Sequence, residues 1–168
     1  AFTAFTAFAL FLCSAGTAAA SGADDLRLNQ LQILGTHNSY RIKPPAAVWK
    51  LIQSLPASAA GDPKDLDYAH DPLPEQLEAG IRSLELDLYN DPQGGQFARR
   101  SGMVLAGESA EAPEPDLTEL KQPGFKILHL PDFDFASSCL SLRTALTAIR
   151  DWSQAHPAHV PLIIHLET

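Results

Sequence analysis

Residues 81–89 (IRSLELDLY) limit the possible folds more than any other stretch of the sequence. The leucines alternate with Glu85 and Asp87, and a period of two predicts a β-strand with leucines on one face and carboxylates on the other. Residues 74–80 predict a brief helix that ends at Gly80, just before this strand. The sequence therefore predicts a helix that leads into a strand carrying two acidic side chains on one face.

Three further apolar runs, residues 31–37, 125–130 and 161–167, are predicted strands. Residues 46–55 and 140–155 place apolar side chains at helical spacing and are predicted helices. Strands that alternate with helices indicate an α/β fold with parallel pairing, either as an open sheet or as a barrel.

Polar side chains occur at or near the predicted ends of all four strands. In strand order they are His37 with Asn38, Glu85 with Asp87, His129, and Glu167. Because chemistry gathers at the carboxyl ends of parallel strands, these groups are expected to meet at one edge of the sheet.

Taken singly, each of these groups also has a structural explanation. The His37–Asn38 pair is compatible with a turn held by local hydrogen bonds, and the two carboxylates of residues 81–89 with a solvent-facing side of the strand. His129 is compatible with a hydrogen-bonded core histidine, and Glu167 with a solvated residue.

The joint interpretation follows from parallel topology. Parallel strands covered by helices have no solvent-facing side, so Glu85 and Asp87 would be buried together and would need neutralisation. Three carboxylates and one amide oxygen suit Ca²⁺ or Mg²⁺, while two histidines supply an acid and a base near neutral pH. With no serine or cysteine nucleophile motif, the pattern favours metal-dependent cleavage of a phosphodiester.

Four segments also carry a family resemblance: LGTHNSY (34–40), HDPLPEQLEAGIRSLELDLYNDP (70–92), ILHL (127–130) and LIIHLE (162–167). They resemble the catalytic domains of phosphatidylinositol-specific phospholipases C, in particular the secreted bacterial calcium-dependent branch. The resemblance covers about residues 30–168. It implies an α/β, TIM-barrel-like phosphodiesterase fold of which the first half, about four β/α units, is present.

The same resemblance implies roles for the six residues at the strand ends. His37 and His129 become the catalytic pair, and the Ca²⁺ ligands, with Mg²⁺ the less favoured ion, are Asn38, Glu85, Asp87 and Glu167. In that family the inositol 2-hydroxyl attacks phosphorus and expels diacylglycerol, which leaves a cyclic inositol phosphate. His129 would protonate the leaving oxygen. His37 would stabilise the phosphoryl group or accept the hydroxyl proton, a role shared with a metal-bound carboxylate.

Other polar residues near these segments receive non-catalytic interpretations. His165 is expected to pack in the core one layer deeper than Glu167. His70 precedes a proline turn and is expected to have a structural role in that loop, with a place at the border of the site as the alternative. Arg82 is expected to be structural.

Two alternatives to a phospholipase C remain open. One is a hydrolase similar to the glycerophosphodiester phosphodiesterases, which share a strand like residues 81–89 but prefer histidine–arginine where this chain has His37 and Asn38. The other is a non-catalytic secreted binding module. The presence of both His37 and His129 argues against it.

Residues 1–20 carry no charge and end in Ala18-Ala19-Ala20, which predicts a partial secretory signal peptide, with an apolar core segment as the alternative. The protein is therefore expected to be secreted or periplasmic. The net charge of −8 lies entirely in residues 21–168 and argues against nucleic acid and against tight adhesion to anionic membranes. The expected partner is a phosphoinositide or related inositol phosphodiester, met in transient contact with a membrane surface, and no protein partner is predicted.

Residues 21–168 are expected to form the N-terminal half of a phospholipase C catalytic barrel, truncated at its C-terminus. Half a barrel exposes unpaired strand edges, so this piece alone is expected to be inactive or unstable. Cys139 is the only cysteine of residues 21–168, which excludes a disulfide framework within them.

Overall fold

A computed structural model of the chain describes residues 27–57 and 62–168. The predicted signal peptide lies outside the described residues. The chain divides into two compact units, Ala1–Gln32 and Ile33–Thr168. In the first unit the described part contains a short 3₁₀ helix, Leu28–Gln30.

The described part of the second unit contains four strands, five α-helices and one 3₁₀ helix, Pro63–Leu66. In chain order the strands and α-helices are β1 (Leu34–Thr36), α1 (Ala46–Gln53), α2 (Leu73–Glu78), β2 (Ile81–Asp91), α3 (Ser101–Leu105), α4 (Asp116–Leu120), β3 (Gly124–Ile127), α5 (Leu142–Ala155) and β4 (Ile163–Glu167). The mixed α/β class expected from the sequence is confirmed.

Strand β2 is the centre of the sheet. Its first half pairs in parallel with both β1 and β4, in a register that sets Thr36 beside Leu84 and Glu167 beside Asp87. The approach of β1 is close: a Cβ atom on Gly35 would lie only 2.8 Å from the Cβ of Ser83. Glycine at this position therefore lets β1 reach its partner strand.

The prediction that residues 125–130 form a parallel strand is wrong. The run at 125–130 contributes β3, which is antiparallel to the second half of β2 and ends at Ile127. A parallel strand needs a connection that carries the chain back along the sheet. Residues 92–123 instead connect the end of β2 to a strand that starts beside that same end. β3 therefore begins next to Asp91 and runs antiparallel to β2.

The leucine face of β2 forms the main core, as its period predicts. Leu84 and Leu86 have no exposed surface and belong to one apolar cluster with Ile149 and Trp152 of α5. Arg82 has the structural role expected for it, because its guanidinium donates to the carbonyls of Leu77 and Ile81 and lies over the Trp152 ring.

A second apolar cluster lies around α1 and includes Val48, Ile52, Leu120 and Phe135. It supports the loops that follow β1 and β3. Among the helices that the structure describes, none combines the length and the apolar character needed to cross a bilayer.

The expectation that His165 packs in the core is wrong. β4 is exposed along most of its length, and the side chain of His165 is exposed with it. In the described part of the chain β4 pairs only with β2, so its outer edge carries no neighbouring strand.

Candidate functional site

The acidic face of β2 brings three carboxylates together. The register of the parallel pair sets Glu167 of β4 directly beside Asp87. One oxygen atom from each of Glu85, Asp87 and Glu167 lies within 4.8 Å of the other two. Two oxygens bound to one Ca²⁺ at about 2.4 Å can be at most about 4.8 Å apart, so this spacing fits a single ion.

Asp87 is a largely buried member of this cluster. Its side chain is 9% exposed. Burial raises the pKa of the Asp87 carboxyl; a hydrogen bond from Tyr40 opposes that shift and the neighbouring charge of Glu167 adds to it. A divalent cation would remove both the desolvation cost and the like-charge repulsion.

Asn38 meets this cluster because the turn after β1 is tied to β2. The backbone N–H of Ser39 donates to the carbonyl of Glu85, and the hydroxyl of Ser39 accepts from the N–H of Glu85. Asn38 itself has φ +50°, a left-handed conformation that asparagine tolerates better than most residues, and its side chain is 1% exposed. The turn thereby holds the Asn38 amide against Asp87.

The Asn38 amide has two orientations with different partners. In one, its nitrogen donates to the Tyr68 hydroxyl at 3.0 Å and its oxygen faces the Asp87 carboxylate, so acceptors face each other. In the other, the nitrogen donates to the two Asp87 oxygens at 3.1 and 3.2 Å. A cation shared by Asn38 and Asp87 favours the first orientation, because both oxygens then serve as ligands.

Both candidate catalytic histidines line a cavity of about 480 Å³ beside this cluster. The other predicted site residues that line it are Asn38, Asp87 and Glu167. Glu85 lines an adjoining cavity of about 530 Å³ together with His37 and Glu167. The structure thus collects all six predicted residues around two adjoining cavities, whereas a larger cavity between β3 and α5 has none of them in its lining.

The loop that precedes α2 borders the site from the side of His37. The Nε2 atom of His70 donates to the backbone carbonyl of His37 at 2.9 Å, as suits a loop residue at the edge of the site. The ring of Tyr68 lies near both histidine rings, with centroid separations of 6.4 Å to His37 and 5.5 Å to His70.

His129 lies just after β3, in a loop, and is held by residues that the sequence pattern did not predict. Its Nδ1 donates to Asp134, and the guanidinium of Arg41 binds the same carboxylate. Burial alone would raise the pKa of Asp134, but the hydrogen bonds from His129 and Arg41 outweigh it and hold that pKa below its ordinary value. An aspartate flanked by Phe133 and Phe135 is the sequence signal that could have revealed this buried group.

Cys139, the one cysteine among the described residues, is a free thiol inside the core. It is 5% exposed, and burial raises its pKa to about 12. The thiol is therefore protonated at physiological pH and takes no part in the site.

Comparison with known families agrees with the geometry. The family described as "Phosphoinositide phospholipase C, Ca2+-dependent" matches residues 26–168, a range that includes all six predicted site residues. Comparison with curated proteins and with solved structures gives no match. The chain therefore belongs to the Ca²⁺-dependent phosphoinositide phospholipase C family.

Proposed function

We propose that this protein is a calcium-dependent phosphoric diester hydrolase that converts phosphatidylinositol-type lipids into a cyclic inositol phosphate and diacylglycerol. The observation that carries the proposal is the three-carboxylate cluster, which lies beside a cavity lined by His37 and His129. Family membership supports the same assignment.

Asn38, Glu85, Asp87 and Glu167 are the residues that would hold Ca²⁺. Their donor set consists of hard oxygen atoms, and the spacing of the three carboxylates suits a single ion. When bound, the ion offsets the negative charge of the phosphodiester and makes the attacking hydroxyl more acidic.

The two histidines carry the proton transfers in this proposal. The inositol 2-hydroxyl forms the new bond to phosphorus, and its proton passes to His37 or to a carboxylate of the cluster. The bond from phosphorus to the glycerol oxygen breaks, and that oxygen receives a proton from His129. The products are a cyclic inositol phosphate and neutral diacylglycerol, which account for every atom and charge.

Further parts of the proposal concern fold and location. We infer that parallel strands β1, β2 and β4 belong to a barrel of the TIM type, because their polar groups lie where such barrels carry their active sites. We also infer export by a signal peptide at residues 1–20, with only transient contact at lipid surfaces because the net charge is −8.

Activity of the full-length protein on phosphatidylinositol vesicles, with and without a calcium chelator, tests the reaction. We expect chelation to abolish turnover and His37→Ala to lower it by at least about 10²-fold, while His156→Gln, on the far end of α5, leaves it unchanged. Glycerophosphoinositol as a soluble substrate separates a lipase from a glycerophosphodiesterase-like enzyme, and ³¹P NMR identifies a cyclic product. Turnover that persists after chelation of calcium, or in the His37→Ala variant, would contradict the proposal.

Calcium binding can be tested without any substrate. At a free Ca²⁺ concentration 100 times its dissociation constant, binding should stabilise the fold by about 2.7 kcal/mol, which thermal unfolding detects. Asp87→Asn should remove most of this stabilisation. Asp151→Asn is the matched control, since Asp151 is exposed and pairs with Arg150 on α5. Equal calcium stabilisation in both variants would contradict the assigned ligands.

A further inference from the structure

We propose that Asp134 is the positioning residue of His129 and that Arg41 fixes Asp134 in turn. The inference rests on the proposed role of His129 as proton donor. It adds two residues to the site that lie outside the expected ligands and catalytic pair.

The contact between His129 and Asp134 defines which ring nitrogen carries a proton. The Nδ1 atom of His129 lies 2.8 Å from Oδ2 of Asp134. An ionised carboxylate only accepts hydrogen bonds, so Nδ1 must be the donor. The other ring nitrogen, Nε2, is thereby left for the cavity that His129 lines.

Arg41 leaves the Asp134 carboxylate no freedom to turn. Its Nε donates to Oδ2 at 2.6 Å and its Nη2 to Oδ1 at 2.8 Å, a bidentate pair in which both side chains are fully buried. Such a pair sets the plane of the carboxylate as well as its place. The oxygen that receives the His129 proton is therefore held in one direction.

Arg41 is itself immobilised by the loop before α2. Its guanidinium donates to the backbone carbonyls of Leu66 and Tyr68 and lies 4.3 Å from the centre of the Tyr68 ring. One arginine thus joins the turn after β1, the loop that carries Tyr68, and the loop that carries Asp134. One buried side chain thereby ties these three segments together.

The backbone around His129 is fixed by separate contacts. The carbonyl of His129 accepts from the Tyr89 hydroxyl at 2.8 Å. Leu130 and Asp134 exchange backbone hydrogen bonds at 3.1 and 3.0 Å, which close the loop between them. With the main chain held, the direction of the imidazole ring depends on the bond from Nδ1 to Asp134.

The chemical consequence concerns the proton on Nε2. A carboxylate at Nδ1 stabilises the imidazolium, the form that can release a proton from Nε2 to the leaving oxygen. Asp134 stays ionised throughout, and the ring returns to its neutral Nδ1–H form. With asparagine in its place, Arg41 would engage the amide oxygen, the amide nitrogen would face Nδ1, and the ring would adopt the Nε2–H tautomer.

Nitrogen-15 NMR of the histidine rings in the full chain tests the geometry directly, with His129→Gln identifying the signals. We expect the neutral His129 ring to carry its proton on Nδ1 in the wild type and on Nε2 in Asp134→Asn. A wild-type Nε2–H tautomer, or a tautomer that Asp134→Asn leaves unchanged, would overturn the proposal.

Kinetics of the full-length protein on phosphatidylinositol vesicles with calcium test the effect of Asp134 on turnover. Asp134→Asn should lower kcat by at least about 10²-fold and change KM by less than about threefold. Since that variant leaves the buried Arg41 charge without a counter-charge, the paired variant Arg41→Met with Asp134→Asn removes both charges and should lose kcat to the same extent. Asp151→Asn, in an exposed aspartate–arginine pair on α5, should retain wild-type kcat.

The NMR and kinetic experiments together distinguish a failure of this proposal from a failure of the proposed function. A full-length wild type that hydrolyses no inositol lipid but keeps an Asp134-dependent tautomer would refute the function and leave the positioning role intact. A wild type that hydrolyses the lipid while both Asp134 variants retain its kcat would refute the positioning role alone.

Discussion

Two buried acidic groups near the site differ in how the protein compensates them. Asp134 receives hydrogen bonds from Arg41 and His129, and its pKa lies below the ordinary value. Asp87 has Glu167 as its cross-strand neighbour, and its pKa lies above the ordinary value. The first group is satisfied by protein alone. The second is the group that a bound Ca²⁺ would compensate in the proposed function.

The lowered pKa of Asp134 predicts how this residue contributes to acid stability. An acid with a lower pKa in the folded state stabilises the fold fully above its unfolded pKa, and this stabilisation is lost as pH falls through the folded pKa. The paired variant Arg41→Met with Asp134→Asn should therefore lose less unfolding free energy than the wild type below about pH 4. Denaturant unfolding from pH 7 to pH 2, in the absence of calcium, measures the unfolding free energy of both proteins. If the unfolding free energies of the wild type and the paired variant fell equally with pH, the prediction would be wrong.

Strand β2 organises the molecule at the scale of elements. Its leucines face α5, its carboxylates face the cavities, and its length lets it pair with β1 and β4 in one half and β3 in the other. The hydroxyl of Ser141 caps α5 by accepting from the N–H of Thr144. This element is therefore fixed both by packing and at its start.

Two aliphatic residues of α5 provide a matched test of that packing. Ile149 is 6% exposed and packs in the core cluster of β2, while Leu146 on the same helix is 42% exposed. Ile149→Ala should lower the unfolding free energy by about 2–4 kcal/mol through lost burial and a residual cavity. Leu146→Ala should cost less than about 1 kcal/mol. Chemical denaturation measures both, and equal losses would show that α5 packs differently.

At the scale of the whole molecule, the parallel part of the sheet has apolar side chains exposed on both outer strands. Leu34 of β1 is 68% exposed and Ile163 of β4 is 40% exposed. Each of these strands pairs only with β2 among the described residues. Unpaired edges with apolar side chains promote association with other chains.

A chain of residues 21–168 is therefore expected to associate as its concentration rises. The variant Leu34→Lys with Ile163→Lys should shift the sedimentation profile toward the monomer, because charge on an edge strand opposes pairing. Leu105→Lys is the control, since Leu105 is 65% exposed but lies on helix α3. The same reduction in both variants would assign the association to general hydrophobicity instead of the sheet edges.

Sequence reasoning succeeded where the signal is local. The two faces of β2 and the helix α5 follow from residue spacing within one element. It failed for β3, whose residues resemble a strand but do not reveal the direction of pairing, and for His165, whose burial depends on which strands cover β4. Pairing and coverage are set by the connections between elements, which local periodicity does not encode.

The amino-acid sequence by itself determined that β2 carries Glu85 and Asp87 on the face opposite its leucines, because a strand alternates its side chains wherever it lies. Tertiary structure decided that Glu167 lies beside Asp87, since this depends on the register of β4. It also decided that Arg41 and Asp134, which are 93 positions apart, form the buried pair behind His129. Contacts between distant segments arise only when the whole core is packed, so no local pattern in the sequence announces them.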